Sequence, residues 1–232
     1  MTDYHGRAVV VTGGTGALGQ AVVRALLARG ASCVVPYVAP AEAERFPFKD
    51  RVTLVGPVDL ASDDDAARVY DRAGAIWASI HLAGGFAMTA IGETMRVDVL
   101  KMLEMNLVTC QLCCAAAVRA LRRTGQGGRI VNVAARPALE PRLAAGMAAY
   151  GASKAAVAAL TQALAEEVAA DGILVNAVAP SIIDTPANRA AMPKARHELW
   201  PKVDEIAATI LFLASPDNRV TRGAIVPVYG KS

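Results

Sequence analysis

The chain has 232 residues, 54% hydrophobic and 19% charged, with a formal net charge of +3. This length suits one α/β domain with a large buried core, and the composition excludes a disordered chain. No run of Lys or Arg marks a nucleic-acid surface or a surface for anionic membranes.

The start, MTDYHGRAVVVTGG, lacks the basic-then-apolar pattern of a signal peptide. No apolar stretch reaches ~18 residues without charge, so no membrane span is read, and the expected setting is cytoplasmic. The apolar runs then come in a regular order. RAVVVT is a short β-branched strand, and ALGQAVVRALLARG has helical spacing and a closing Gly30. SCVVPY is a second strand, and RVTLVGPVDL contains a third. Ser62 followed by Asp63, Asp64 and Asp65 reads as a helix start, a hydroxyl cap with acids in the first turn. AIWASIHLAG is a fourth strand, 97–123 a long helix, GRIVNV a fifth strand and 147–170 a second long helix. ILVNAVAP, a helix over 203–214 and the strand AIVPVY complete the chain.

Strands and helices alternate, and the strands are apolar on both faces. That pattern predicts a single doubly wound Rossmann-type domain over 1–232, with about seven parallel strands and helices on both faces. The irregular segment 181–201 carries Pro186, Pro193 and Pro201 and follows the sixth strand. Loops at the carboxyl ends of such strands line the ligand crevice, so this segment is a candidate substrate lid.

The first strand runs into TGGTGALG, with Gly13, Gly16 and Gly19 spaced by three. A glycine turn between strand and helix lets backbone approach a pyrophosphate, and the helix start supplies N–H groups. The residues after the second strand, Pro36-Tyr37-Val38-Ala39, offer neither the acid suited to NAD nor the Arg suited to NADP. The first acid is Glu42 and the first base Arg45. The lack of an acid tilts the reading toward NADP(H) over NAD(H).

Four cysteines occur, three of them in CQLCCAAAV (Cys110, Cys113, Cys114), with Cys33 apart. No second ligand pair follows, and His5, His81 and His197 are scattered, so buried thiols are expected and no metal.

Tyr150 and Lys154 stand four apart on one predicted helix and share a face. A nearby ammonium favours the phenolate and is expected to bring a Tyr down from its ordinary pKa of about 10 toward a working acid–base range.

Taken together, TGGTGALG, Asp59-Leu60, HLAGG, Asn106 in EMNLVT, Tyr150-Gly-Ala-Ser-Lys154 and VNAVAPSIIDTP resemble the short-chain dehydrogenase/reductase family, over essentially the full length. The resemblance implies an NAD(P)(H)-dependent oxidoreductase. It would transfer hydride to or from a small carbonyl, alcohol or C=N substrate. Tyr150 would be the general acid/base, Lys154 would bind the nicotinamide ribose, and Asn106 would hold a water against that Lys. Gly13, Thr15, Gly16, Ala17, Leu18, Gly19, Asp59, Leu60, Ala83, Gly84, Pro180, Ile183 and Thr185 would line the cofactor. It also implies a homotetramer or homodimer assembled through the two long helices.

Two departures stand out. The usual Asn-Ala-Gly reads Leu82-Ala83-Gly84, and the usual Pro-Gly reads Pro180-Ser181. More serious, the strand GRIVNV usually ends in a pair of serines, and the second falls here on Ala135. Ala135 precedes Tyr150 by fifteen residues, two more than the family spacing, and counting back by that spacing lands on Pro137. Neither position carries a hydroxyl. One donor to a developing oxyanion is thereby lost, on the order of 3–4 kcal/mol where such donors have been removed. Three explanations stand: an acceptor such as an iminium or quinonoid ring that needs little oxyanion stabilisation, a donor supplied by Arg136, or a cofactor-binding scaffold or sensor with little turnover.

Overall fold

A computed structural model describes residues 3–232. Seven parallel strands form one sheet in the order β3-β2-β1-β4-β5-β6-β7. They are β1 Ala8–Thr12, β2 Ser32–Pro36, β3 Thr53–Val55, β4 Ala78–His81, β5 Gly128–Val133, β6 Ile173–Pro180 and β7 Ile225–Val228. The chain winds outward from β1 to β3, returns to β4 beside β1, and then winds the other way. The reversal between β1 and β4 is the topological switch at which open α/β sheets bind ligands. The doubly wound, seven-stranded parallel sheet matches the expectation from sequence.

The helices are α1 Ala17–Leu27, α2 Pro40–Arg45, α3 Asp63–Ala73, α4 Arg96–Leu103, α5 Thr109–Thr124, α6 Arg136–Leu139, α7 Ala148–Glu167, α8 Pro186–Ala191 and α9 Val203–Ala214. On one face, Val22 and Leu26 of α1 and Ile206 and Ile210 of α9 pack on Val9, Val11 and Ile80. On the other, Val69 and Tyr70 of α3, Cys113 and Ala117 of α5 and Val157 of α7 cover Val10 and Ile130. Burying each Val, Leu or Ile contributes roughly 1.5–3 kcal/mol, which explains why both faces of the strand sequences are apolar.

The local signals mostly hold. Ser62 caps α3, its Oγ accepting from the Asp65 N–H at 3.5 Å. Gly125 ends α5 in the left-handed region at φ +65°. Three expectations need correction. The helix expected over 97–123 is two α-helices joined by a π turn, Glu104–Val108. Segment 181–201 is not wholly irregular, because Thr185 caps the short α8 by accepting from the Asn188 N–H at 3.2 Å. Third, α2 and α6 each begin at or beside a proline, which suits a first helical turn, and neither was read from sequence.

The run 96–124 is long and apolar enough to cross a membrane, which the sequence reading had not found. Within the fold its second half is core: Cys113 and Ala117 are fully buried beneath the sheet.

Candidate active site

The glycine turn is built for close approach. Gly13 sits at φ +64°, and a Cβ there would stand 2.7 Å from the Ala83 nitrogen, the first residues past β1 and β4 being that close. A Cβ on Gly14 would stand 2.7 Å from Val35 Cγ1, and one on Gly19 would be driven into the Gly13 carbonyl. Gly16 is the extended N-cap of α1 and has no side chain to occupy the helix start. Thr15 is half-buried, Ala17 exposed and Leu18 half-buried beside the core. The cradle therefore fits a dinucleotide pyrophosphate: bare backbone at a helix N-terminus on the switch point.

Thr15 also donates to Glu42 Oε2 at 3.4 Å, and the same oxygen accepts from the Val38 N–H at 3.4 Å. α2 thus returns an acid to the end of β2, where Pro36 to Ala39 offered none. Sequence reasoning named Glu42 as the first acid after β2 but not its return to Thr15 and Val38, which depends on a helix that was not foreseen. Asp59 is exposed, its carboxylate accepting from the Ala61 N–H at 2.9 Å, and Leu60 is buried.

The catalytic candidates converge from three elements. A Cβ on Gly84 would stand 2.6 Å from Asn106 Oδ1 and 3.4 Å from Lys154 Nζ. Asn106 lies inside the π turn and is 1% exposed. It accepts from the Gly85 N–H at 2.9 Å and donates to the Gly85 carbonyl at 3.1 Å and to Ser153 Oγ at 3.0 Å. Ser153 in turn donates to the Tyr150 carbonyl at 2.8 Å. Loop, π turn and α7 are therefore locked together, and π turns concentrate at functional sites. Ser153 is the residue sequence reading missed: its hydroxyl braces Asn106.

Lys154 is 7% exposed and donates to the Val133 carbonyl at 2.9 Å. Burial pulls its ammonium down to about 8, with Cys110 pulling the other way. Burial pushes the Tyr150 phenol up to about 12. The expected lowering of Tyr150 by Lys154 does not prevail here, because the ammonium is held by the Val133 carbonyl while the phenol lies beneath Phe86, ring centroids 4.9 Å apart at 82°.

The missing hydroxyl has a structural counterpart. Ala134 and Ala135 are buried, and the Ala134 N–H continues the β5–β6 pairing at 2.9 Å to the Val178 carbonyl. The extra length is taken up by α6 and the 3₁₀ turn Pro141–Ala144. Arg136 is engaged: it donates twice to Glu140, at 3.0 and 3.1 Å, and its guanidinium lies 4.6 Å over the Tyr229 ring. In this arrangement it braces the turn. After β6, Ile183 gives its carbonyl to Asn188 at 2.7 Å, and Ser181 donates to the Tyr229 carbonyl at 2.9 Å. Thr185 Oγ1 accepts the cap bond of α8, so its own hydrogen is still available to a ligand. Pro180 closes β6.

A family model described as short chain dehydrogenase matches residues 7–196. The chain belongs to the short chain dehydrogenase family. This family member is 34% identical over 242 residues to cis-4-hydroxycyclohexanecarboxylate dehydrogenase of Sinomonas cyclohexanicum, covering 97% of this chain and 95% of the relative. It is 35% identical over 246 residues to galactitol 2-dehydrogenase of Rhizobium johnstonii, covering 96% and 93%. The solved structure of ElxO with NADP bound superposes with a TM-score of 0.88 at 23% identity, covering 99% of this chain and 98% of that one. The matches support an oxidoreductase of this family.

Behind the site, the short-chain dehydrogenase fold brings together what the sequence scattered. His81 Nδ1 lies 2.8 Å from Asn132 Oδ1 and 3.5 Å from Cys114 Sγ, with Cys110 alongside. His81 Nε2 meets Ser79 Oγ at 2.8 Å and Tyr70 OH at 3.0 Å. Asn132 passes the chain on, its Nδ2 donating to Thr161 Oγ1 at 2.9 Å. The cluster reads as a buried polar network beneath α7.

Proposed function

We propose that this chain is an NAD(P)(H)-dependent oxidoreductase in which Tyr150 exchanges a proton with a carbonyl or alcohol oxygen, or with the nitrogen of a C=N group. The observation that carries the reading is the convergence of Gly84, Asn106 and Lys154 beside the glycine turn, with Tyr150 one helical turn before Lys154. The cofactor, when bound, supplies or takes the hydride. The chain's residues do the rest. Gly13, Gly16 and Gly19 admit the pyrophosphate, and Lys154, anchored on the Val133 carbonyl, would hold the nicotinamide ribose. Asn106 and Ser153 keep α7 and the β4 loop in register.

At neutral pH the phenol is protonated and can give its proton in reduction, but burial, which raises it to about 12, makes it a weak acid until the ammonium is brought closer. Oxidation needs the ammonium brought closer, so that the phenolate is favoured. Both relatives are named for secondary alcohols, which supports this chemistry.

The cofactor preference rests on Glu42. Residues 36–39 alone favoured NADP(H), and a structural neighbour carries NADP. A carboxylate about 20 residues beyond the glycine turn is the group that meets ribose hydroxyls and repels a 2′-phosphate, so we infer NAD(H). We also infer a cytoplasmic homotetramer or homodimer, supported by Val97, Val99 and Leu100, which α4 leaves exposed. A monomer by light scattering overturns that assembly.

The test is nicotinamide-fluorescence titration with NADH and NADPH, followed by turnover of wild type and Tyr150→Phe. The expected result is tighter binding of NADH and a loss of turnover of roughly 100-fold or more in Tyr150→Phe with binding unchanged. A second reading, a cofactor-binding sensor, is favoured by Ala135 and by the engaged Arg136. It predicts tight cofactor binding without turnover on a panel of ketones, alcohols and imines.

A further inference from the structure

Three loops leave the sheet side by side at the carboxyl ends of β4, β5 and β6, because those strands are parallel neighbours. Each carries large apolar side chains in the open. Phe86 and Met88 follow β4, Leu139 and Leu143 follow β5, and Ile182 follows β6, all between 39% and 63% exposed. Single exposed apolar residues need no explanation, but five on adjoining loops at one site do.

The loops after β4 and β5 are tied together at Tyr150, and the loop after β6 reaches Arg136 of the β5 loop through Tyr229, whose carbonyl accepts from Ser181 and whose ring lies under the Arg136 guanidinium. Phe86 meets the Tyr150 ring edge to face. A Cβ on Gly146 would stand 3.7 Å from Met88 Cε, and the Thr89 N–H donates to the Gly146 carbonyl at 3.0 Å, so the loop after β4 lies on the loop after β5. Gly151, next to Tyr150, faces Ala144 and Pro137, which holds the turn bearing Leu139 and Leu143 against α7.

The arginines of these loops are largely committed to acids of their own segments. Arg136 holds Glu140, Arg189 holds Asp184 at 2.6 and 2.8 Å, and Arg196 holds Glu198 at 3.1 Å. Arg142 and Lys194 stay exposed to solvent. The rim around the phenol is therefore apolar, with most of its charge neutralised in pairs.

We propose that this rim selects an uncharged, predominantly apolar secondary alcohol or ketone, whose hydrocarbon body is covered by Phe86, Met88, Leu139, Leu143 and Ile182 while its oxygen meets Tyr150. The inference rests on the oxidoreductase reading given above and names the substrate class of the same site. It also bears on the missing serine. An apolar substrate that displaces water from the rim leaves the Tyr150 hydrogen bond in a low-dielectric setting, where one donor does more than it would in water.

The experiment measures binding and turnover separately. Binding of cyclohexanone, 4-oxocyclohexanecarboxylate and an open-chain ketose to the Tyr150→Phe protein saturated with reduced cofactor is followed by saturation-transfer NMR, so that no ligand is consumed. The expected result is that cyclohexanone binds roughly tenfold or more tighter than either polar ligand, and that Phe86→Ser or Leu143→Ser weakens it severalfold. Both side chains are exposed, so either variant can be checked for folding by circular dichroism. Equal or tighter binding of the carboxylate or the ketose, or no binding of cyclohexanone, overturns the inference. Tight, Phe86-dependent binding of cyclohexanone that wild type then fails to reduce keeps the ligand class and removes the hydride-transfer reading instead.

Discussion

The two ends of the crevice are made from different materials. At β1–α1 the site is backbone: Gly13, Gly14 and Gly19 are there because a Cβ would strike Ala83, Val35 or the Gly13 carbonyl. At β5–α7 the site is side chains: Tyr150, Lys154, Asn106 and Ser153, with Asn106 bonded to the Gly85 loop and to Ser153, Ser153 to the Tyr150 carbonyl, and Lys154 to strand β5. A backbone site tolerates almost no change of residue, so it keeps its sequence signature. A side-chain site can lose a member and be rearranged around the loss, as Ala135 and the added turn at α6 show.

The sharpest way to break this comparison is Gly19→Ala. The added methyl meets the Gly13 carbonyl, so the variant should bind NADH roughly a hundredfold more weakly and melt at lower temperature. Unchanged affinity by fluorescence titration would show that the turn is a packing device only.

The catalytic end, unlike the glycine turn, carries buried titratable groups. Lys154 has a folded value near 8 against an ordinary 10.5, so between those values the unfolded chain holds more protons at this group. Its contribution to stability is therefore present at high pH and is lost as pH falls toward 8. Urea unfolding at pH 7.5 and pH 10 should show wild type gaining stability relative to Lys154→Met, by about 2 kcal/mol. Parallel curves for the two proteins would mean that the ammonium is not buried as described.

Ala135→Ser restores the absent hydroxyl in an extended residue at φ −159° that accommodates serine without strain. A gain in kcat on the order of tenfold is expected with a ketone, with little change in cofactor affinity. A fall would show that the longer loop has moved position 135 away from the reacting oxygen. The smallest effect belongs to Arg136→Gln. Loss of its pair with Glu140 should shift the melting temperature little and leave kcat in place. A collapse of kcat without loss of stability would make Arg136 the substitute donor.

The same division explains what was legible in the sequence. Alternating apolar runs, the Ser62 cap and the stop signal Gly30 made the sheet and its helices readable, since they act through local physics. Tyr150, Lys154 and Asn106 were placed by the resemblance, and the structure brings Lys154 and Asn106 together at Gly84. The return of Glu42 to Thr15 and Val38, the bracing by Ser153 and the engagement of Arg136 with Glu140 were not foreseen. Glu42 owes its place to the short α2, Ser153 to a partner 47 residues away, and Arg136 to a turn that begins at Pro137. Nor was the fall of Lys154 and rise of Tyr150 visible, because burial decides both and periodicity cannot measure it.

The π turn at Glu104–Val108 carries one residue more than a regular helix would use there. That residue is absorbed as a local widening, so α4 and α5 keep their phase while Asn106 is carried on the bulge toward Gly85. Deleting it would close the turn into regular helix and draw Asn106 away from Gly85, while Val97 and Leu100 on α4 would keep their outward face. Between β5 and α7 the chain has changed length at the surface; in the π turn a change of one residue falls on the site itself.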